Sequence, residues 1–320
     1  MEDRGHGAPA QAKAEQRLDW IDIARGIGIV AVVIGHVWTR GPLRDAMYSF
    51  HMPLFFLLSG LLSKPQPVGR FAWRQLTGQM RPYCAFLVLL ILIDQIVEPM
   101  KGGRPIFHNW PADLWPILLG GSWLRGPYTI FWFVPCLMVA RILYNLAPAR
   151  WPDPRAWAWW IVAPAALLLA YGMGAATDVS PLGLLTVPMA LVLLWIGALW
   201  RAVEWRGWML APLVPLAVAG LLLMPTLNMK AGDYGWPILS IGSAIATSLL
   251  ILQLARWMAP YAGWLGVLGR ASLVIMYCHV ALIHYLSPYV GKVWLLGIAL
   301  LVPFGLYHLL RVTPLRRIFL

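Results

Sequence analysis

Long apolar runs separated by short polar punctuation dominate this chain from residue 20 onward. Stretches able to cross a bilayer core of about 30 Å, roughly 17–25 residues each, fall at 20–38, 46–63, 82–98, 128–147, 157–173, 182–200, 208–224, 237–257, 268–287 and 293–311. The pattern predicts an all-α, polytopic integral membrane protein with about ten transmembrane helices. Residues 1–18 are polar, and the first apolar run, interrupted by Asp22 and Arg25, shows no small-residue cleavage pattern. It is expected to persist as the first span rather than leave as a signal peptide. No internal repeat or low-complexity tract subdivides the remainder, so 1–18 reads as a polar N-terminal segment and 19–320 as a single transmembrane domain.

Composition agrees with the pattern. Of 320 residues, 60% are hydrophobic and only 12% charged, more apolar surface than a soluble core of this size can hide. The net charge of +12 would suit a nucleic-acid binder, but the cations are scattered between apolar runs and follow topology instead. Ten spans put both termini on one face. With that face cytoplasmic, 18 of the 25 Lys and Arg residues fall inside and 7 outside, the bias expected of a membrane protein. The cysteines Cys84, Cys136 and Cys278 all sit in apolar runs, with no metal-ligand spacing, and read as buried packing residues. No HExxH, CxxC or comparable pair points to a metal.

Candidate chemistry begins in the first span, WIDIARGIGIVAVVIGHVW, which holds Arg25 and His36. At 100° and 1.5 Å per residue the two lie within roughly 20° of each other and about 16 Å apart, on one helix face. Ionisable groups inside a span cost about 2.5–3.5 kcal/mol and normally face a protein interior or cavity. A neutral imidazole is suited to take a proton from a hydroxyl near pH 7, so His36 is a candidate general base. His51 opens the second run; His279 and His284 fall in the outer half of the ninth. Asp94 and Glu98, four residues apart on one face of the third span, either orient that histidine, bind a polyol acceptor, or simply sit at the interface. The inner stretch from Lys64 to Arg81 carries Arg70 and Arg74; its cations follow topology, or hold lipid headgroups or an anionic, nucleotide-like cofactor. The outer loop from Glu98 to Pro127 contains Trp110, Trp115 and Trp123, interface anchors or a sugar-stacking surface.

The run RLDWIDIARGIGIVAVVIGHVW, followed by SFHMPLFFLLSG, resembles the membrane acyltransferase-3 family, and most of all its branch related to fucose 4-O-acetylases. The hallmark of that family is an arginine, ten intervening residues and a histidine, matched here by Arg25 and His36. FWFVP at 131–135 and LGRASLVIMYCH at 268–279 resemble its mid-chain tryptophan motif and its late motif. The resemblance implies a bacterial inner-membrane O-acyltransferase that moves acetyl from cytoplasmic acetyl-CoA to a cell-surface or lipid-linked carbohydrate. Acetyl-CoA is then a substrate, with no permanently bound cofactor. It further implies His36 as base or acyl relay and Arg25 as a donor contact, with His51, Trp132 and His279 on the substrate side and Ser59 and Gly60 permitting close helix approach. The competing class is a proton-coupled carrier using Arg25, His36 and Asp94 as a relay.

Overall fold

The computed structural model describes residues 8–320, with side chains from Asp19 onward. Residues 1–7 of the polar N-terminal segment, Arg4 included, lie outside the described residues, as do the side chains of Lys13 and Arg17. The described chain is helical, without a sheet. It runs α1 (Ala8–Val37), α2 (Pro42–Tyr48), α3 (His51–Leu61), α4 (Val68–Met100), α5 (Leu114–Leu119), α6 (Phe133–Arg150) and α7 (Trp159–Ala176). It continues with α8 (Val187–Ala202), α9 (Gly207–Leu210), α10 (Leu213–Leu222), α11 (Leu239–Met258), α12 (Gly263–Arg270), α13 (Ser272–Leu286), α14 (Lys292–Val312) and α15 (Arg316–Phe319).

Among the described residues seven helical stretches are long and apolar enough to cross a membrane, and an eighth if α12 and α13, bent by 73°, count as one span. The chain is therefore a multi-pass membrane protein. Two of the ten predicted spans are not realised at full length. Run 46–63 is interrupted at Ser49–Phe50, which leaves α3 with 11 residues, about 16 Å or half a bilayer core. Run 208–224 forms the shorter apolar stretch Gly207–Leu222, split near Pro212, which has no N–H to donate to a helix ladder. In the other direction, the stretch from Lys64 to Arg81, which lies between predicted spans, is helical from Val68. Its Arg70, Arg74 and Arg81 ride on α4, whose 33 residues reach about 50 Å.

Burial decides which helices are central. The window on Asp19–Val37 is 67% buried and that on Pro181–Ala202 72%, against 17% for α7 and 22% for α14. The span that carries charge is thus wrapped by protein, while the uniformly apolar helices present leucines, valines and tryptophans outward. Glycines permit the tightest crossings. A Cβ on Gly60 would fall 1.9 Å from the Leu194 carbonyl oxygen and one on Gly197 2.0 Å from that of Leu57, so α3 and α8 touch backbone to backbone. The close approach expected at Gly60 is this contact. Of the cysteines, Cys136 and Cys278 are buried, but Cys84 is exposed on α4.

Candidate functional site

One face of α1 builds the site. Arg25, Ile29, Val32 and His36, at steps of four, three and four residues, all line a cavity of about 450 Å³. The shared face predicted for Arg25 and His36 is thus the wall of a single chamber, with the two side chains near opposite ends of it.

At the arginine end, Asp22 joins two helices. Its carboxylate accepts from Arg25 Nη1 at 3.0 Å and lies 3.7 Å from Arg270 Nη1 at the end of α12. The backbone geometry depends on glycine: a Cβ on Gly269 would sit 1.8 Å from the Asp22 carbonyl oxygen, and one on Gly26 2.2 Å from that of Leu265. Only hydrogen fits between α1 and α12 there. Arg141, from α6, lines the same end of the cavity. Its Nε is buried without a partner, its guanidinium stands 5.8 Å from the Phe71 ring, and its charged neighbours are Arg25 and Arg74. Three guanidiniums line this end, a fourth lies beside them, and Asp22 supplies one carboxylate, so the net field favours an anion.

At the other end, three imidazoles and a phenol converge. His36 Nδ1 lies 3.0 Å from Tyr48 Oη, and the His36 ring stacks on that of His279 with centroids 5.0 Å apart and planes 8° from parallel. Tyr48 also meets His51 edge-on at 4.8 Å and lies under the Arg44 guanidinium at 4.1 Å. His51 Nδ1–H donates to the Met47 carbonyl at 2.7 Å, and His279 Nδ1–H donates to those of Ile275 and Met276 at 2.9 and 2.8 Å. A carbonyl can only accept, so both rings carry the lone pair on Nε2; that of His279 is buried without a partner. Where Nδ1–H of His36 donates to the Tyr48 oxygen, its Nε2 is likewise left as the basic atom. A second cavity of about 560 Å³, lined among others by Gly35, Arg44, Tyr48, His284 and Lys292, also reaches His36. The imidazole therefore stands where two chambers meet.

Lys230 lines the main cavity as well. Its ammonium donates to the Leu124 carbonyl at 2.7 Å and to Thr129 Oγ1 at 3.0 Å. Desolvation and, less strongly, the nearby Arg125 push its pKa down to about 8.

The residues singled out in the sequence divide accordingly. Arg25, His36, His51 and Trp132 line the main cavity, and His279 stacks on His36. Asp94 does not orient that histidine. It is fully buried and accepts from Tyr285 Oη at 2.7 Å and from the Ile106 N–H at 2.8 Å, anchoring the following loop to α13. Tyr48 occupies the orienting position instead, and the Arg25–His36–Asp94 relay of a carrier loses its third member. Glu98 pairs with Lys101 at 3.3 Å and lies 3.7 Å from His284, beside the second cavity rather than on the first. Arg70 is exposed and lines neither cavity, and Arg74 donates to Gln66 Oε1 at 3.1 Å while sitting beside Arg141. Trp110, Trp115 and Trp123 line neither cavity. Among the described residues no group of three His, Cys, Asp or Glu side chains is placed to hold a metal.

Arg141, Arg270, Lys230, Asp22 and Tyr48 were not singled out as site residues. Arg141 was accessible by the rule that picked Arg25, being an ionisable residue inside a predicted span. Tyr48 carries no such signal, because its role depends on the turn at Gly41, between α1 and α2, that brings α2 back against α1.

A family model described as Acyltransferase domain matches residues 18–308, nearly the whole chain, without selecting a branch of that family. No curated protein and no solved structure matches the chain.

Proposed function

This chain belongs to the Acyltransferase domain family, and from that premise we propose that it moves an acetyl group from acetyl-CoA, bound from the cytoplasmic face of a bacterial inner membrane, to a carbohydrate hydroxyl on the opposite face. The observation that carries the reading is the chamber along α1, with cationic Arg25, Arg141 and Arg270 at one end and, at the other, His36, which also lines a second cavity. The arginines suit the phosphates of the donor, which bidentate guanidiniums recognise well. The flexible arm of CoA carries the thioester along the roughly 16 Å of helix face to His36.

At that point the acceptor hydroxyl gives its proton to His36 Nε2 while its oxygen attacks the thioester carbonyl carbon. The C–S bond breaks, the CoA sulfur leaves as thiolate, and the imidazolium returns the proton to it. Tyr48 holds the imidazole by Nδ1 throughout, and the His279 ring fixes its plane. In the alternative route Nε2 attacks the thioester carbon, the C–S bond breaks and CoA leaves as thiolate; the hydroxyl then takes the acyl group from the acyl-imidazolium, which frees Nε2, and its proton goes to the thiolate. The shared face of Arg25 and His36 serves either route.

The test is acetyl-CoA turnover by the full chain in lipid bilayers with a pool of bacterial cell-surface glycans, for wild type, His36→Ala and Arg25→Ala. Acylated glycan from wild type, none from His36→Ala with donor binding kept, and weakened donor binding in Arg25→Ala is the expected pattern. Wild type that binds no acetyl-CoA refutes the donor assignment.

A further inference from the structure

Lys230 is a cation for which acetyl transfer to a neutral sugar has no use. It sits on the turn Met229–Ala231, which is held firmly. Asn228 and Asp233 exchange backbone hydrogen bonds at 2.9 and 3.1 Å, Gly232 reverses the chain at φ 72°, and the Met229 carbonyl accepts from the Thr186 hydroxyl. From this turn the side chain crosses to the segment that leads into Trp132, where it meets Leu124 and Thr129. An ammonium has three donors, and these partners take two. Lys230 also lines the chamber that holds His36 and Trp132.

The charges around it do not balance. The charge that acts on Lys230 is that of Arg125, a second cation. Asp233, on the same turn, spends a carboxylate oxygen on the Gly235 N–H at 3.0 Å, and no carboxylate among the described residues forms an ion pair with Lys230. A half-buried ammonium beside another cation is unfavourable unless something entering the chamber supplies the negative charge. Two neutral acceptors satisfy two of its N–H groups but leave its charge without a counter-ion.

We propose that Lys230 binds an anionic group, a carboxylate or phosphate, borne by the acceptor close to the hydroxyl that is acylated, so that the enzyme selects charged over neutral glycans. The proposal rests on the acyl-transfer reading above. The same chemistry arises if the anion belongs to the acyl group, as in a dicarboxylic acyl donor, and the experiment separates the two sources.

Wild type, Lys230→Gln and Lys230→Arg, as full chains in lipid bilayers, are given acetyl-CoA with a defined mixture of neutral, uronate-containing and phosphorylated oligosaccharides. A second arm offers acetyl-CoA and succinyl-CoA in competition with the neutral oligosaccharides only. The expected result is a charged-to-neutral product ratio of at least ten in wild type, kept by Arg and falling toward one in Gln, as losing a charged hydrogen bond implies. In wild type that ratio also declines as pH rises past about 8, where the ammonium discharges, but not in Lys230→Arg. Titration of His36 affects both product classes and cancels in the ratio.

A succinyl preference that collapses in Gln, with no preference among acceptors, moves the anion to the donor and overturns the acceptor assignment. A product ratio near one in wild type, or one unchanged in Gln, overturns the proposal and leaves Lys230 as a tie between the turn and Thr129. No acylated product from wild type in either arm refutes the acyl-transfer reading itself.

Discussion

Replacing Tyr48 by Phe removes one oxygen from the site and leaves its packing in place. The phenyl ring keeps its edge contacts with His36 and His51, at 5.7 and 4.8 Å between centroids, and its place under Arg44. What disappears is the 3.0 Å partner of His36 Nδ1. A neutral hydrogen bond contributes about 0.5–1.5 kcal/mol net, and leaving the group unpaired in a confined site costs about 1–3 kcal/mol. Free Nδ1 also lets the ring redistribute between tautomers, one of which has no lone pair on Nε2. Taking about 1–2 kcal/mol for the loss gives a roughly 5–30-fold fall in kcat. The arginine cluster lies about 16 Å along α1, so the KM for acetyl-CoA should stay within about twofold. Steady-state CoA release with saturating acceptor, alongside a thermal melt of each variant in the same detergent, separates these terms. A kcat within twofold of wild type, or a loss that appears in the donor KM instead, refutes Tyr48 as the group that positions His36.

Three further outcomes follow from the geometry. Gly269→Ala places a Cβ 1.8 Å from the Asp22 carbonyl oxygen, so α1 and α12 must separate. The melting temperature should drop and donor affinity weaken together as Arg25 and Arg270 lose their common carboxylate; an alanine variant that melts and binds like wild type contradicts the backbone contact. Asp94→Asn weakens two hydrogen bonds to a buried carboxylate, from Tyr285 and Ile106, of a kind that contributes about 1.5–3 kcal/mol. Stability should fall while turnover per folded molecule is retained, and a collapse of kcat in well-folded protein returns Asp94 to the chemistry. Arg141→Gln removes a guanidinium that has no carboxylate of its own at the cavity, so the dissociation constant for acetyl-CoA should rise about tenfold, and titration calorimetry with the unreactive donor product CoA reads it directly.

Much of the molecule was legible in residue order. Apolar run length and the shortage of charge identified a polytopic helical membrane protein. Two ionisable positions eleven residues apart placed Arg25 and His36 on one wall, because the rotation per residue is a property of a single helix. Gly60 was picked out by the family resemblance rather than by its place in an apolar run, since a Cβ on Gly172, Gly297 or Gly305, also inside spans, would meet nothing within 4 Å. The same rules missed α3 and the Gly207–Leu222 stretch as short elements, because hydropathy measures apolar length but not where the backbone breaks. They also misassigned Asp94, whose helix face was consistent with several partners and whose actual partner, Tyr285, is brought in by α13.

Contacts between distant segments were decided only by the tertiary structure. His279 lies on His36 because α12 packs against α1 through Gly26 and Gly269 and the 73° bend returns α13 to the same face. Arg141 and Lys230 reach the cavity from α6 and from the turn before α11, neither of which shares any periodicity with α1. Local sequence carries the helical period and the cost of burying charge, and these determine which faces must turn inward. Which inward faces meet is settled by shape, by where a missing Cβ lets two backbones touch, and that information is spread over the whole chain.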